Sequence, residues 1–254
     1  MQSNRTEDSE ATDRIRADPG PGADSDPCVP VRNAPADRPF VVAQLGQSLD
    51  GRIATLTGES RWINQSAALD HLHRLRASVD AVVVGIGTAL ADDPQLNVRR
   101  VTGRNPARVV IDPLGQLPTT ARCLADDGAR RLIVRASSGP ALPPGVEAVP
   151  IETDGATLPP QAIVQALFER GLRRMLIEGG ARTVSQFIDA GVIDRLHILL
   201  APVIIGSGRT GLELAPIARL SEARRPRTRV HLLADGDVLF DCDLRSDLRE
   251  AGPC

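Results

Sequence analysis

Unbroken runs of apolar residues recur along the chain, and several of the segments between them carry apolar side chains at helical spacing. The runs are FVVAQL (40–45), AVVVGIGT (81–88), ARVVID (107–112), RRLIVRA (130–136), RRMLIEGG (173–180) and DRLHILLAPVII (194–205). Strands that do not alternate apolar with polar residues are buried on both faces, which is the signature of a parallel sheet covered by helices. VEAVPI (146–151) predicts one more short strand, and Pro202 interrupts the long run 194–205. Asn64 is placed as the N-cap of a helix reaching about Ala77, with Ala68, Leu72, Leu75 and Val79 on one face. A second helix spans about Pro160 to Arg170 and is closed by Gly171. RVHLLAD and DVLFDCDLR flank Asp235-Gly236, the turn signal of an antiparallel hairpin. The expected fold class is α/β, with a mostly parallel sheet and an antiparallel edge.

Residues 173–186, RRMLIEGGARTVSQ, read as a buried strand, a tight turn and a helix that includes Val184, Phe187 and Ile188. The first turn of a helix has unpaired N–H groups and the positive end of the helix dipole, so an anion fits there. Gly179 and Gly180 let such a ligand approach the main chain, and Thr183 and Ser185 add hydroxyls. Glu178 ends the strand where open α/β sheets place their ligands. Alternatively the glycines only make a turn.

Residues 1–38 hold acidic, Arg, Pro, Gly and Ser residues with almost no large apolar side chain, and are expected to be disordered. Residues 245–254 are read as a tail. Across all 254 residues the formal net charge is −2, every basic residue is arginine, tyrosine is absent and Trp62 is the single tryptophan. That balance and the scarcity of aromatic residues argue against a nucleic-acid partner and against membrane binding. Cys28, Cys123, Cys242 and Cys254 are scattered, which argues against a structural zinc and against a disulfide framework. His71 and His73, two apart, cannot form an i, i+4 metal pair and are expected at the surface. Asp92-Asp93-Pro94 is read as a turn rather than a magnesium site, and IGSGRTGLEL (205–214) as a surface loop. No targeting or membrane-length run is found, so a cytoplasmic location is expected.

Q-S-L-D-G (47–51), G-E-S-R-W (58–62), V-G-I-G-T-A-L-A-D-D-P-Q-L-N-V-R (84–99), I-D-P (111–113), I-E-G-G-A-R-T (177–183) and A-P-V-I-I-G (201–206) occur in that order. Together they resemble the C-terminal reductase domain of the bifunctional riboflavin-biosynthesis deaminase/reductase, over about residues 39–244. The resemblance implies a dihydrofolate-reductase-like fold with helices on both faces of the sheet. It also implies NADPH-dependent reduction of a ribosylaminopyrimidine 5′-phosphate to its ribityl form. Carried over residue by residue, Gly180, Ala181, Arg182, Thr183, Val184, Ser185 and Gln186 would hold the cofactor's pyrophosphate, with Gly46, Trp62, Thr88 and Asp92 lining the rest of its groove. Ser60, Arg76, Leu96, Arg99 and Glu178 would contact the substrate, the arginines at its phosphate and Glu178 at the opened sugar as the catalytic residue. No metal is implied. The family is usually homodimeric. The deaminase signature, H-x-E with P-C-x-x-C, is missing, so a separate deaminase would be needed.

Two other readings stand beside this one. Gln44, at a position where many relatives carry lysine, suggests a pterin, folate or secondary-metabolite pyrimidine as substrate. A non-catalytic nucleotide-binding protein is the third.

Overall fold

The computed structural model describes residues 15–17, 26–61, 63–136, 140–153 and 157–245. In chain order its elements are β1 (Ile15–Ala17), α1 (Val29–Arg32), β2 (Phe40–Ser48), β3 (Arg52–Thr55), α2 (Ser66–Ser78), β4 (Ala81–Gly85), α3 (Ile86–Asp92), β5 (Ala107–Ile111), β6 (Arg131–Ala136) and β7 (Val146–Ile151). There follow α4 (Pro160–Glu169), β8 (Arg174–Glu178), α5 (Ala181–Asp189), β9 (Arg195–Ala201), β10 (Gly208–Thr210), β11 (Arg227–Leu232) and β12 (Val238–Asp243). A 10-stranded sheet has the order β1-β11-β12-β9-β2-β8-β4-β5-β6-β7. From β9 to β7 all neighbours are parallel, while β12 joins β9 and β11 in antiparallel fashion, as the hairpin signal required.

The unbroken apolar runs are explained by two cores, one on each face. Val41, Ala43, Val83, Val109, Leu132, Met175 and Ile177 pack against Ile163, Val164 and Leu167 of α4 and Val184, Phe187 and Ile188 of α5. The intervening residues Val42, Val82, Val84, Val110, Ile133 and Leu176 face Leu75 of α2 and Ala89 of α3. Each buried side chain of this size contributes roughly 1.5–3 kcal/mol, so neither face could be left bare.

Several expectations are corrected. Residues 26–38, expected to be disordered, contain α1, whose Val31 and the preceding Cys28 are fully buried in the second core. Two apolar side chains were enough to dock the segment. Residues 15–17, also within the expected disordered stretch, pair as β1 with β11; the rest of residues 1–25 and residues 246–254 lie outside the described residues. The loop expected at 205–214 contributes β10, which pairs antiparallel with β3 in a small second sheet. The run 194–205 ends as a strand at Ala201, before Pro202. Residues 86–92 form α3 despite Gly87.

The N-cap of α2 is Gln65, not Asn64, and no side chain of its own caps the helix. The hairpin supplies the missing acceptors instead: Asp237 Oδ2 accepts from the Gln65 N–H at 2.7 Å and Asp235 Oδ2 from the Ala67 N–H at 2.7 Å. His71 and His73 are buried rather than surface residues, at 0% and 2% exposure. His71 faces the sheet, where its Nε2 meets His197 Nδ1 at 3.0 Å and His197 Nε2 meets Asp241 Oδ1 at 3.1 Å, whereas His73 faces residues 93–100 and its Nδ1 accepts the Arg99 N–H at 3.1 Å. No helix among the described residues is long and apolar enough to cross a membrane.

Candidate active site

The carboxyl ends of β2, β4, β5 and β8 open into one groove of about 1620 Å³. A single small-molecule site occupies roughly 300–1,000 Å³, so there is room for a dinucleotide and a second ligand together. Its position outside the strand ends is the one open α/β sheets favour, because helix starts converge there.

One wall is the turn between β8 and α5. Gly179 and Gly180 have φ of 72° and 45°, in the left-handed region. A Cβ on Gly180 would stand 2.6 Å from Thr88 Oγ1, so the hydroxyl fills the space that only glycine leaves. The neighbouring turn mirrors this, for Gly85 faces the Thr183 hydroxyl. The N–H groups of Ala181, Arg182 and Thr183 meet no acceptor among the described residues, and Gly180 has no capping side chain. Three donors and the dipole of a helix are therefore directed at the groove.

The floor is polar. Gln44 of β2 lies in register with Glu178 of β8 and His197 of β9, so the three side chains share the face toward α2. Glu178 is 8% exposed and accepts two hydrogen bonds from Arg76, one from Nε at 2.9 Å and one from Nη2. Arg76 Nη1 donates in turn to the Asn97 carbonyl at 2.9 Å. The pair was not foreseen: the fold joins the expected phosphate ligand to the expected catalytic acid. With both carboxylate oxygens already accepting, Glu178 is equipped to accept from a further donor through its remaining lone pairs. Gln44 is 7% exposed, lines the groove and makes no side-chain hydrogen bond among the described residues.

The opposite wall comes from the β3–β10 sheet, which brings Ser60, Arg61 and Arg209 to the rim. Seven arginines line the groove against four carboxylates, a positive site in a chain of net charge −2. Such a charge distribution concentrates anionic ligands.

Of the expected site residues, Gly46, Ser60, Arg76, Thr88, Asp92, Arg99, Glu178, Gly180, Ala181, Arg182, Thr183 and Gln186 line the groove together. Three do not. Leu96 is 1% exposed and packs in the second core, and Val184 is fully buried in the first. The Ser185 hydroxyl is also buried and accepts the Glu213 N–H at 2.9 Å. Helix periodicity explains the last two, since α5 turns those positions inward. Trp62 lies outside the described residues. His73, read as a surface residue, lines the groove, and burial together with Arg76, Arg99 and Arg100 pushes its ring down to about 4. Its placement was legible only in part: the spacing of three to Arg76 puts both on one helix face. No cluster able to hold a metal ion is found among the described residues.

The family model described as the RibD C-terminal domain matches residues 39–232. The chain is 32% identical over 210 residues to a riboflavin biosynthesis protein RibD of Aquifex aeolicus, covering 80% of this chain and 58% of that one. It is 34% identical over 197 residues to a 2,5-diamino-6-ribosylamino-4(3H)-pyrimidinone 5′-phosphate reductase of Methanothermobacter thermautotrophicus, covering 74% of this chain and 90% of that one. Among solved structures, a diaminohydroxyphosphoribosylaminopyrimidine deaminase/5-amino-6-(5-phosphoribosylamino)uracil reductase of Thermotoga maritima superposes with a TM-score of 0.69 at 31% identity. That match covers 82% of this chain and 57% of the other, so the chain spans little more than half the length of these bifunctional relatives.

Proposed function

The chain belongs to the RibD C-terminal domain family, and from that premise we propose that it is an NADPH-dependent reductase acting on a 5-amino-6-(5-phosphoribosylamino)uracil-type pyrimidine. The ribosyl group becomes a ribityl group. One observation carries the reading: the donor-lined start of α5 and the Arg76–Glu178 pair face one positively lined groove large enough for two ligands.

The fit to a nicotinamide dinucleotide rests on the glycine turn, where Thr88 and Thr183 fill the space of missing Cβ atoms, and on the unpaired amides of Ala181, Arg182 and Thr183. Those amides would hold the diphosphate, with Gly46, Thr88, Asp92 and Gln186 along the groove. The chemistry that a cofactor bound there would supply is the hydride that reduces C1′ of the opened sugar. Arg99, whose guanidinium reaches only Asn97 Oδ1 among the side-chain acceptors of the described residues, would bind the substrate phosphate. Arg76 holds Glu178 in place, and Glu178 accepts a hydrogen bond from a sugar hydroxyl and so fixes the open chain. Holding two reacting carbons in contact can lower a barrier by roughly 7–11 kcal/mol, which makes positioning the main contribution of the protein.

Purified protein should consume NADPH only when the ribosylaminopyrimidine phosphate is present, and more slowly with NADH. Absence of turnover with both the diamino and the deaminated pyrimidine contradicts the proposal. A second reading, favoured by the Gln44 amide beside Glu178, which has no partner among the described residues, replaces the substrate with a pterin, folate or other pyrimidine whose ring offers an adjacent donor and acceptor; turnover of such a ring alone supports it. The proposal further includes a cytoplasmic homodimer and a separate deaminase. Exposed Leu49, Val203 and Ile204, brought together by the Leu49 N–H to Val203 carbonyl bond, are apolar surface that a second copy would cover.

A further inference from the structure

Residues 93–100, which cross the groove between α3 and β5, form no helix or strand. Asp93 and Leu96 have positive φ, 40° and 55°, a conformation that non-glycine residues keep only when their surroundings impose it. Asp93 is the left-handed C-cap of α3, its N–H donated to the Ala89 carbonyl, and after Leu96 three successive residues are held by neighbouring groups. The Asn97 carbonyl accepts from Arg76 Nη1 at 2.9 Å, the Val98 N–H donates to Asn105 Oδ1 at 2.8 Å, and the Arg99 N–H donates to His73 Nδ1 at 3.1 Å. The first and third holds come from one face of α2, three residues apart.

We propose that His73 is a positioning residue whose imidazole, acting with Arg76, clamps residues 97–99 and so aims the Arg99 guanidinium at the phosphate of the substrate. The inference rests on the reading of Arg99 given above and adds how that arginine is held. A ring nitrogen that accepts an N–H carries no proton, so the hydrogen of neutral His73 is on Nε2. The ring is 2% exposed and sits among Arg76, Arg99 and Arg100, with Asp70 the opposing charge. Those charges and burial keep it neutral well below neutral pH, which preserves the acceptor. A protonated ring would present a donor to the Arg99 N–H.

Replacement tests the clamp directly. His73→Asn places Oδ1 near the position of Nδ1 and keeps an acceptor; His73→Leu keeps bulk without one; His73→Gln is polar but carries its acceptor at the far end of the ring position. In the full chain, His73→Leu and His73→Gln should speed amide hydrogen exchange across residues 97–100. Both should also raise KM for the phosphorylated pyrimidine by about tenfold, the scale of one buried donor left unpaired. Turnover number and NADPH affinity should stay within about threefold, His73→Asn should restore KM, and Arg99→Gln combined with His73→Leu should be no worse than Arg99→Gln alone. If His73→Leu folds poorly, the His73→Gln and His73→Asn pair decides the matter. An unchanged KM in the Leu and Gln variants while Arg99→Gln raises it overturns the inference. Equal loss of KM, turnover and NADPH affinity overturns it too, since that is general loosening. An unchanged KM in Arg99→Gln overturns the assignment of Arg99 itself; exchange at 97–100 then decides separately whether His73 holds the segment.

Discussion

A guanidinium that gives two hydrogen bonds to one carboxylate and a third to a backbone carbonyl has committed three of its five N–H groups, and this fixes Arg76 beside Glu178. Removing the charge of one partner in a buried pair leaves the other uncompensated, at a cost of about 3–5 kcal/mol. Glu178→Gln should therefore lower both the unfolding free energy, read by urea titration, and turnover; a variant with parental stability shows that the pair is not structural. The buried histidines give a second expectation. Burial first, then His197 and Arg74, hold His71 well below its ordinary range, and its Nδ1 has no partner among the described residues. His71 and His73 each bind a proton more readily unfolded than folded. Their stability contribution is complete above about pH 6.5 and declines as pH falls toward the folded value of about 4 for His73. Unfolding free energy should therefore fall as pH is lowered below about 6.5, by at most about 1.4 kcal/mol per pH unit for one histidine. The Asp241 carboxyl, which burial pushes up but His197 and Arg195 hold at about 2, loses its contribution only in more acid solution. A flat profile in the upper window contradicts the burial of both rings. From sequence, Glu178, Arg76 and Arg99 were legible as candidates, but the pairing of Arg76 with Glu178 was not, because the one is on α2 and the other ends β8, and they meet only where that helix packs on the sheet.

Among the elements, the helix starts determine the site. α5 begins in free amides behind a left-handed glycine, whereas the first turn of α2 is closed by Asp235 and Asp237 from the β11–β12 hairpin. The same physical need for acceptors is met by protein in one case and, in the function proposed above, by the cofactor's diphosphate in the other. Gly180→Asp adds bulk against Thr88 and a negative charge at the free amides, and should abolish NADPH binding; parental affinity would show that the groove is misassigned. Asp237→Ala should cost about 1–2 kcal/mol, the usual loss of a helix cap, with a lower melting temperature as the readout. The core strands were legible because cover on both faces leaves a run with no polar break, as in Val82 to Val84. β3 and β10 were not, since Arg52–Thr55 and Gly208–Thr210 are short and bury only Ala54.

At the level of the whole molecule, one sheet with cores on both faces leaves the strand ends as the place where function can be exposed. β8 sits between β2 and β4, so its returning chain brings Glu178 and the glycine turn to the centre of that edge. The Gly-Gly turn already marked this place in the sequence, whereas the groove's width was hidden, because its far wall depends on β3 meeting β10 across residues 52–210. In the proposed function the amides of Ala181, Arg182 and Thr183 grip the diphosphate of the cofactor. Backbone amide resonances of the isotope-labelled chain, followed during titration with NADPH, test it directly. Shifts at those three residues that saturate together with binding are the predicted result. NADPH binding that leaves all three amides unmoved contradicts the account.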